Sequence, residues 1–233
     1  MRMTSPPERH VAEPGSAPLI GATLAAGLAA SFLALLLFVW LGLQIRSGAP
    51  TPFDIAGRAG LRSLESTTMS AIMWGASVYG APARLSPLGL IAAAVFLIRG
   101  WRRGALLVVV TIAGAWLVDT GLKLFFARAR PEPFYEYYPA PSSYSFPSGH
   151  ALFSVCFFGG LAVLLTHRLN GRVAQVTVWL LAGVIILLIG SSRVYLGVHH
   201  PTDVVGGYAV GLAWVTAVAF GDRVAEHRRR RVS

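Results

Sequence analysis

The chain has 233 residues, of which 55% are hydrophobic and only 13% charged, about half the charge of a typical soluble domain. With apolar runs of about 20 residues, this excludes an ordinary water-soluble globule and points to a polytopic membrane protein. The net charge of +10 does not indicate a nucleic-acid binder, because the arginines gather in short segments at the ends of apolar runs; Cys156 is the only cysteine, so neither an intrachain disulfide nor a thiolate metal cluster is available.

Met1 to Ser16 is polar, contains Pro6, Pro7 and Pro14, and reads as a disordered cytoplasmic tail. The apolar run that follows is too long for a signal-peptide core and lacks a clear cleavage site. Residues 17–221 read as one all-α membrane domain of six transmembrane helices plus an amphipathic helix at the interface, with residues 222–233 a basic cytoplasmic tail. The expected first span is Ala17 to Leu43, followed by a Pro/Gly-rich loop over Gly48 to Gly60. Leu61 to Tyr79 mixes Leu64, Met69, Ile72, Met73 and Trp74 with Arg62, Glu65, Ser66 and Thr67, a pattern for a helix lying in the interface. The further expected spans are Leu85 to Ile98 (short, extended by the residues before it), Ala105 to Phe126, Ala151 to Thr166, Val173 to Gly190 and Val204 to Phe220.

The turns around Arg99, Arg102 and Arg103, around Arg168 and Arg172, and the arginines Arg228 to Arg231 fall on one side by alternation. The positive-inside rule makes that side the cytoplasm. Arg46, Arg58 and Arg62 run against the rule. The long segments Ala127 to Gly149 and Ser191 to Thr202 then face the opposite, extracytoplasmic side of what reads as a plasma (inner) membrane.

Three polar stations lie on that side. Lys123 is the only lysine in the chain and follows Asp119 by one helical turn; an ionisable residue at such depth is a functional candidate, the plainer alternative being a snorkelling lysine paired with Asp119. Arg128 and Arg130 follow, and if the helix continued, Lys123 and Arg130 would share a face. The second station, Ser145 to His150, reads SFPSGH. Pro147 can start a helix, so that Ser148, Gly149 and His150 offer free backbone N–H groups at its N-terminus and His150 is placed as a proton donor; the alternative is a capping turn with an interfacial histidine. The third, Ser191 to Asp203, reads SSRVYLGVHHPTD. Pro201 at the first helical position puts Asp203 in the first turn, just after His199. A carboxylate there fixes the imidazole tautomer and frees the other nitrogen as base or nucleophile, and Arg193 can clamp an anion; the alternative is two interfacial histidines and a snorkelling arginine. Taken together, the stations hold three cations, two helix N-termini and two histidines, with no cluster of carboxylates for a two-metal site. That set meets the needs of metal-free phosphoryl transfer.

These residues resemble the three-part signature of the type 2 phosphatidic acid phosphatase (PAP2) superfamily: KLFFARARP from Lys123 to Pro131, PSGH from Pro147 to His150, and SRVYLGVHHPTD from Ser192 to Asp203. The resemblance covers most of the chain after Leu85, with the signature in residues 123–203. It implies that His199 attacks phosphorus and carries a phosphohistidine, that Asp203 orients it, and that His150 protonates the leaving oxygen and later activates water. It also implies that Lys123, Arg130, Ser148, Gly149 and Arg193 hold the phosphate oxygens, with no cofactor and no metal. Relatives often have an aromatic residue where this chain has His200; the spacing to Asp203 assigns the nucleophile to His199. The six spans fit the membrane members rather than the soluble vanadium haloperoxidases. The implied partner is a lipid phosphate in the bilayer. The compact six-span form favours a polyprenyl diphosphate such as undecaprenyl diphosphate, the alternative being phosphatidic acid or phosphatidylglycerol phosphate. A reading of another class is a lipid-phosphate binder or transporter that does not turn over, which the pair His150 and His199 disfavours.

Overall fold

The structure, a computed structural model, describes residues 17–135, 141–166 and 168–232, with side chains from Ala25 to Arg229 in those segments. The expected tail Met1 to Ser16 lies outside them. The elements in order are α1 (Ala17–Gln44), α2 (Pro52–Arg62), α3 (Thr67–Tyr79), α4 (Pro82–Ile98), α5 (Arg102–Phe126), α6 (Gly149–Ser154), a π-helical turn (Val155–Gly159), α7 (Gly160–Thr166), α8 (Arg172–Tyr195) and α9 (Pro201–Val232). No strand occurs among the described residues, consistent with the all-α expectation.

Among the described residues, five helical segments are long and apolar enough to cross a membrane: α1 (residues 25–47 of it and its C-terminal turn), α5, the continuous run α6–π–α7, α8 and α9. The pair α3 and α4, bent by 56°, passes the same test together and brings the number to six when counted as one broken span. Gly80 closes α3, and Pro82 opens α4 at a position where a missing N–H costs nothing, so the chain turns there without stranding a donor. Large apolar side chains such as Phe32, Leu33, Leu117, Val173 and Leu180 lie exposed on the helix exteriors. That is the arrangement expected where the surrounding medium is lipid, with the polar side chains turned inward.

The amphipathic helix sits earlier than expected. Gly48 to Gly60 is not a loop throughout, because α2 begins at Pro52 with Thr51 as its N-cap. The Thr51 hydroxyl accepts from the Asp54 N–H and the Asp54 carboxylate accepts from the Thr51 N–H, a reciprocal cap that starts a helix wherever it forms. Residues 67–79, expected in the interface, form the first arm of the bent pair instead.

α9 organises the interior, packing on α1, α5, α6 and α8. Its approach to α6 depends on glycine. A Cβ on Gly207 would stand 2.6 Å from the Ser148 carbonyl oxygen and 2.9 Å from the Ala151 Cβ. With hydrogen there instead, α9 comes close enough for the Ser148 N–H to donate to the Asp203 carbonyl at 2.9 Å. Small residues at such crossings are the usual means of close helix contact in membranes.

Candidate active site

The site lies where the end of α5, the start of α6, the end of α8 and the start of α9 meet. Pro201 opens α9, as expected, and Asp203 sits in its first turn. His199 precedes it in the short connection from α8, 1% exposed. The His199 Nδ1 lies 3.2 Å from the Asp203 Oδ2, and its Nε2 lies 2.7 Å from the Arg130 Nη1. A guanidinium only donates and a carboxylate only accepts. The tautomer is therefore fixed: Nδ1 carries the proton and Nε2 holds the lone pair that accepts from Arg130. Burial pushes the His199 pKa well below the usual histidine value, and Arg130, Arg193, Lys123 and His200 push in the same direction. The ring is neutral at pH 7, the form a nucleophile needs.

His200 differs from its neighbour. Its backbone N–H donates to the Asp203 Oδ2 at 2.8 Å, but its ring does not meet that carboxylate, and its buried Nδ1 has no hydrogen-bond partner among the described residues.

The remaining expected residues surround the dyad. Arg130 is held by the Ser143 and Val198 carbonyls at 2.6 and 3.0 Å. Lys123 is paired with the Asp119 Oδ2 at 2.7 Å. A Cβ on Gly149 would lie 3.1 Å from both the Lys123 Nζ and the Asp119 Oδ1, so glycine leaves the α6 N-terminus open beside the lysine. Ser148 is the N-cap of α6 but makes no side-chain cap bond, and its buried Oγ has no hydrogen-bond partner among the described residues. Arg193, 1% exposed, donates to the Ser77 Oγ. The His150 Nε2 stands 3.1 Å from the Ser77 carbonyl oxygen. A carbonyl only accepts, so Nε2 carries a proton and Nδ1 is left for exchange. All eight expected residues therefore fall in one connected cluster.

α5 ends at Phe126, as expected, because Ala127 takes a left-handed conformation, φ 44°; the helix does not continue, so Lys123 and Arg130 share no helical face, yet both lie close enough to act on His199. One local expectation needs correction: α6 begins at Gly149, with Ser148 rather than Pro147 at its cap.

Sequence reasoning missed Asp54, Ser77 and the role of Arg128. Arg128 is 3% exposed. It donates to the Asp203 Oδ1 at 2.6 Å, the Thr202 hydroxyl at 2.8 Å and the Asp54 Oδ2 at 3.0 Å. The Asp54 Oδ1 accepts from the Thr202 N–H at 2.9 Å. Burial works to raise the Asp54 pKa, but the bonds from Thr202, Thr51 and Arg128 outweigh it and hold the carboxyl below its usual value. The signal available in sequence was the Thr51-Pro52-x-Asp54 capping pattern; nothing local marked Ser77.

The cluster is equipped for in-line displacement at phosphorus: an imidazole lone pair, a second imidazole close to it, three cations and an open helix N-terminus. Comparison with known proteins gives the family. The chain is 32% identical over 198 residues to phosphatidylglycerophosphatase B of Bacillus subtilis, covering 84% of this chain and 96% of the relative. It is 30% identical over 153 residues to an undecaprenyl-diphosphatase of Sulfolobus acidocaldarius, covering 64% of this chain and 68% of that protein. The fold is similar to the crystal structure of a transmembrane PAP2-type phosphatidylglycerolphosphate phosphatase from Bacillus subtilis, with a TM-score of 0.73 at 32% identity over 83% of this chain and 96% of that one. The PAP2 superfamily profile matches residues 104–222, a span holding every expected site residue, and the chain belongs to that superfamily.

Proposed function

We propose that this protein is an integral membrane lipid phosphatase that turns over through a phosphohistidine on His199. The observation that carries the reading is the fixed tautomer of His199, with Nδ1–H on Asp203 and the Nε2 lone pair facing Arg130. In the first step the His199 Nε2 bonds to phosphorus as the P–O bond to the lipid breaks, and the departing oxygen takes the Nδ1 proton of His150, which enters the step protonated on both nitrogens. In the second, His150 takes a proton from water, the oxygen of that water bonds to phosphorus, and the P–N bond breaks to release phosphate. Asp203 holds the imidazolium that forms, as orienting carboxylates do. Arg130, Arg193, Lys123 and the N–H groups at Gly149 and His150 neutralise the equatorial oxygens, and Ser148 donates its hydroxyl. The three cations make a metal unnecessary for charge neutralisation.

For the substrate, we favour a glycerophospholipid with a terminal phosphate, of the phosphatidylglycerol phosphate type, over the polyprenyl diphosphate favoured from sequence. The support is similarity along nearly the whole length of phosphatidylglycerophosphatase B, whereas the undecaprenyl-diphosphatase match covers less of both chains. The arginine-rich turns support an extracytoplasmic site in a plasma membrane. The test is phosphate release in detergent with excess chelator, from phosphatidylglycerol phosphate, phosphatidic acid and a polyprenyl diphosphate, for wild type and His199→Ala. Release by wild type alone, fastest from phosphatidylglycerol phosphate, is expected. Release at equal rates by both proteins, or activity that needs a divalent ion, overturns the mechanism; preference for the diphosphate overturns the substrate.

A further inference from the structure

We infer that Asp54, which lies outside the matched residues 104–222, is a positioning residue for the nucleophile, acting through Arg128 and Thr202 on Asp203 and so on His199. The inference rests on the phosphohistidine reading above.

Asp54 is 0% exposed, and its carboxylate is fixed by donors from three parts of the chain. Oδ2 accepts from the Thr51 N–H at 3.0 Å and from the Arg128 Nη2 at 3.0 Å, and Oδ1 accepts from the Thr202 N–H at 2.9 Å. The last bond ties α2 to the first turn of α9, one residue before Asp203. The surfaces fit closely there, since a Cβ on Gly57 would stand 2.6 Å from the Pro201 Cγ. Arg58, on the same face of α2, donates to the Gly197 and Glu132 carbonyls at 2.6 and 3.0 Å. The guanidinium that bridges the two carboxylates is thus that of Arg128.

The charge pattern gives Asp54 a chemical purpose beyond anchoring. Asp203 has one oxygen on Arg128 and the other on His199 and the His200 N–H. Phosphorylation of Nε2 makes the ring a cation, which a net negative partner stabilises. A lone Arg128 would neutralise Asp203 one for one. Asp54 draws on the other arm of the same guanidinium, which lessens the neutralisation of Asp203 and leaves more of that carboxylate's charge for the imidazolium; Arg58, which also feels both carboxylates, is hydrogen-bonded to the Gly197 and Glu132 carbonyls instead. The fork geometry also fixes the Asp203 oxygens in direction, which a lysine could not do.

Single-turnover phosphorylation and steady-state kinetics on a lipid phosphate, with the full-length protein in detergent, test this. Asp54→Asn is expected to slow phosphorylation and kcat by about 10- to 100-fold, by analogy with the loss of outer partners that orient metal-ligating histidines, with KM changed less than about twofold. Asp54→Glu should recover part of the loss. Adding Arg128→Gln to Asp54→Asn should cost less than the product of the two single effects, because the pair acts as a unit. A folded Asp54→Asn that loses thermal stability but keeps wild-type phosphorylation and kcat overturns the inference, as does a multiplicative double variant. If Asp54→Asn does not fold, Arg128→Lys serves instead: it keeps the charge but cannot bridge both carboxylates, and wild-type kcat in it is equally fatal. The His199→Ala arm separates the two failures, since a phosphoenzyme in that variant refutes the phosphohistidine and not the role of Asp54.

Discussion

Gly207→Ala should damage stability and chemistry together, by amounts the packing sets. The added Cβ meets the Ser148 carbonyl at 2.6 Å, where ordinary contact starts at 3.4 Å, so α6 and α9 must separate by about 0.8 Å. Overpacking of this kind costs about 1–3 kcal/mol. The Ser148 N–H to Asp203 carbonyl bond spans the same crossing, and its weakening adds about 1 kcal/mol, offset by about 1 kcal/mol from alanine's better helix propensity. At roughly 2–4 °C per kcal/mol for a chain of this size, Tm should fall by about 2–12 °C. The kinetic effect should be larger, because the crossing sets His199 and Asp203 on one side against His150 and Ser148 on the other. A misplacement near 1 Å typically costs about a hundredfold in rate. Gly183→Ala is the control: nothing lies within 4 Å of its added Cβ, so it should leave kcat unchanged and raise Tm slightly. Thermal unfolding in detergent and phosphate release from a lipid phosphate read both effects. Wild-type Tm and kcat in Gly207→Ala would refute the claim that this crossing holds the site in register.

The histidines should separate by substrate. His199→Ala should yield no acid-quenched phosphoenzyme, and His150→Ala should retain more relative activity on an aryl phosphate than on an alkyl lipid phosphate, because general acid catalysis worth about 10²–10⁴-fold is not needed by a good leaving group; His200→Ala should stay close to wild type, and a dead His200→Ala beside an active His199→Ala would move the nucleophile by one residue. For pH, burial and the surrounding cations hold the His199 pKa below its ordinary value, so the acid limb of kcat/KM due to it should lie below about 6.5, and Arg130→Gln should move that limb upward; a downward move counts against the electrostatics. The same depression, shared by buried His200, has a sign for stability. The unfolded chain binds the extra protons, so the contribution is complete above the unfolded value and is lost as pH falls from about 6.5 towards the folded values, which a Tm series from neutral to acidic pH should show. For orientation, Ser142→Cys and Asn170→Cys in a Cys156→Ala background should label oppositely with an impermeant thiol reagent in intact cells; labelling of Asn170→Cys alone would invert the topology.

The signature residues were legible because each station is short in sequence and carries unusual chemistry at the end of an apolar run. The order and number of spans followed from the same runs. α2 escaped notice because its inward stripe at i, i+3, i+4 and i+7 is Asp54, Gly57, Arg58 and Leu61, while Phe53 and Ile55 are exposed. That is the reverse of the water-soluble pattern, and so it reads as loop. Asp54 could not be paired from sequence, since Arg128 and Thr202 lie 74 and 148 positions away. Ser77 meets His150 through a carbonyl that any residue would supply. The end of the helix at Phe126 was legible, but the left-handed turn at Ala127, beyond which Arg130 meets His199, was not, because alanine gives no warning of it.

The contact that fixes the His199 tautomer also masks the nucleophile. With the Arg130 Nη1 2.7 Å from Nε2, the lone pair needed for attack is already engaged, and phosphorus can approach only if the guanidinium turns to a better acceptor. A terminal phosphate with close to two negative charges is such an acceptor. The phosphodiesters of an ordinary bilayer carry a single, more diffuse charge and compete less well with imidazole. An enzyme embedded in a sheet of phosphodiesters would otherwise be saturated by its own solvent; on the proposed mechanism, a self-masked histidine would stay idle among those headgroups until a terminal phosphate draws Arg130 away.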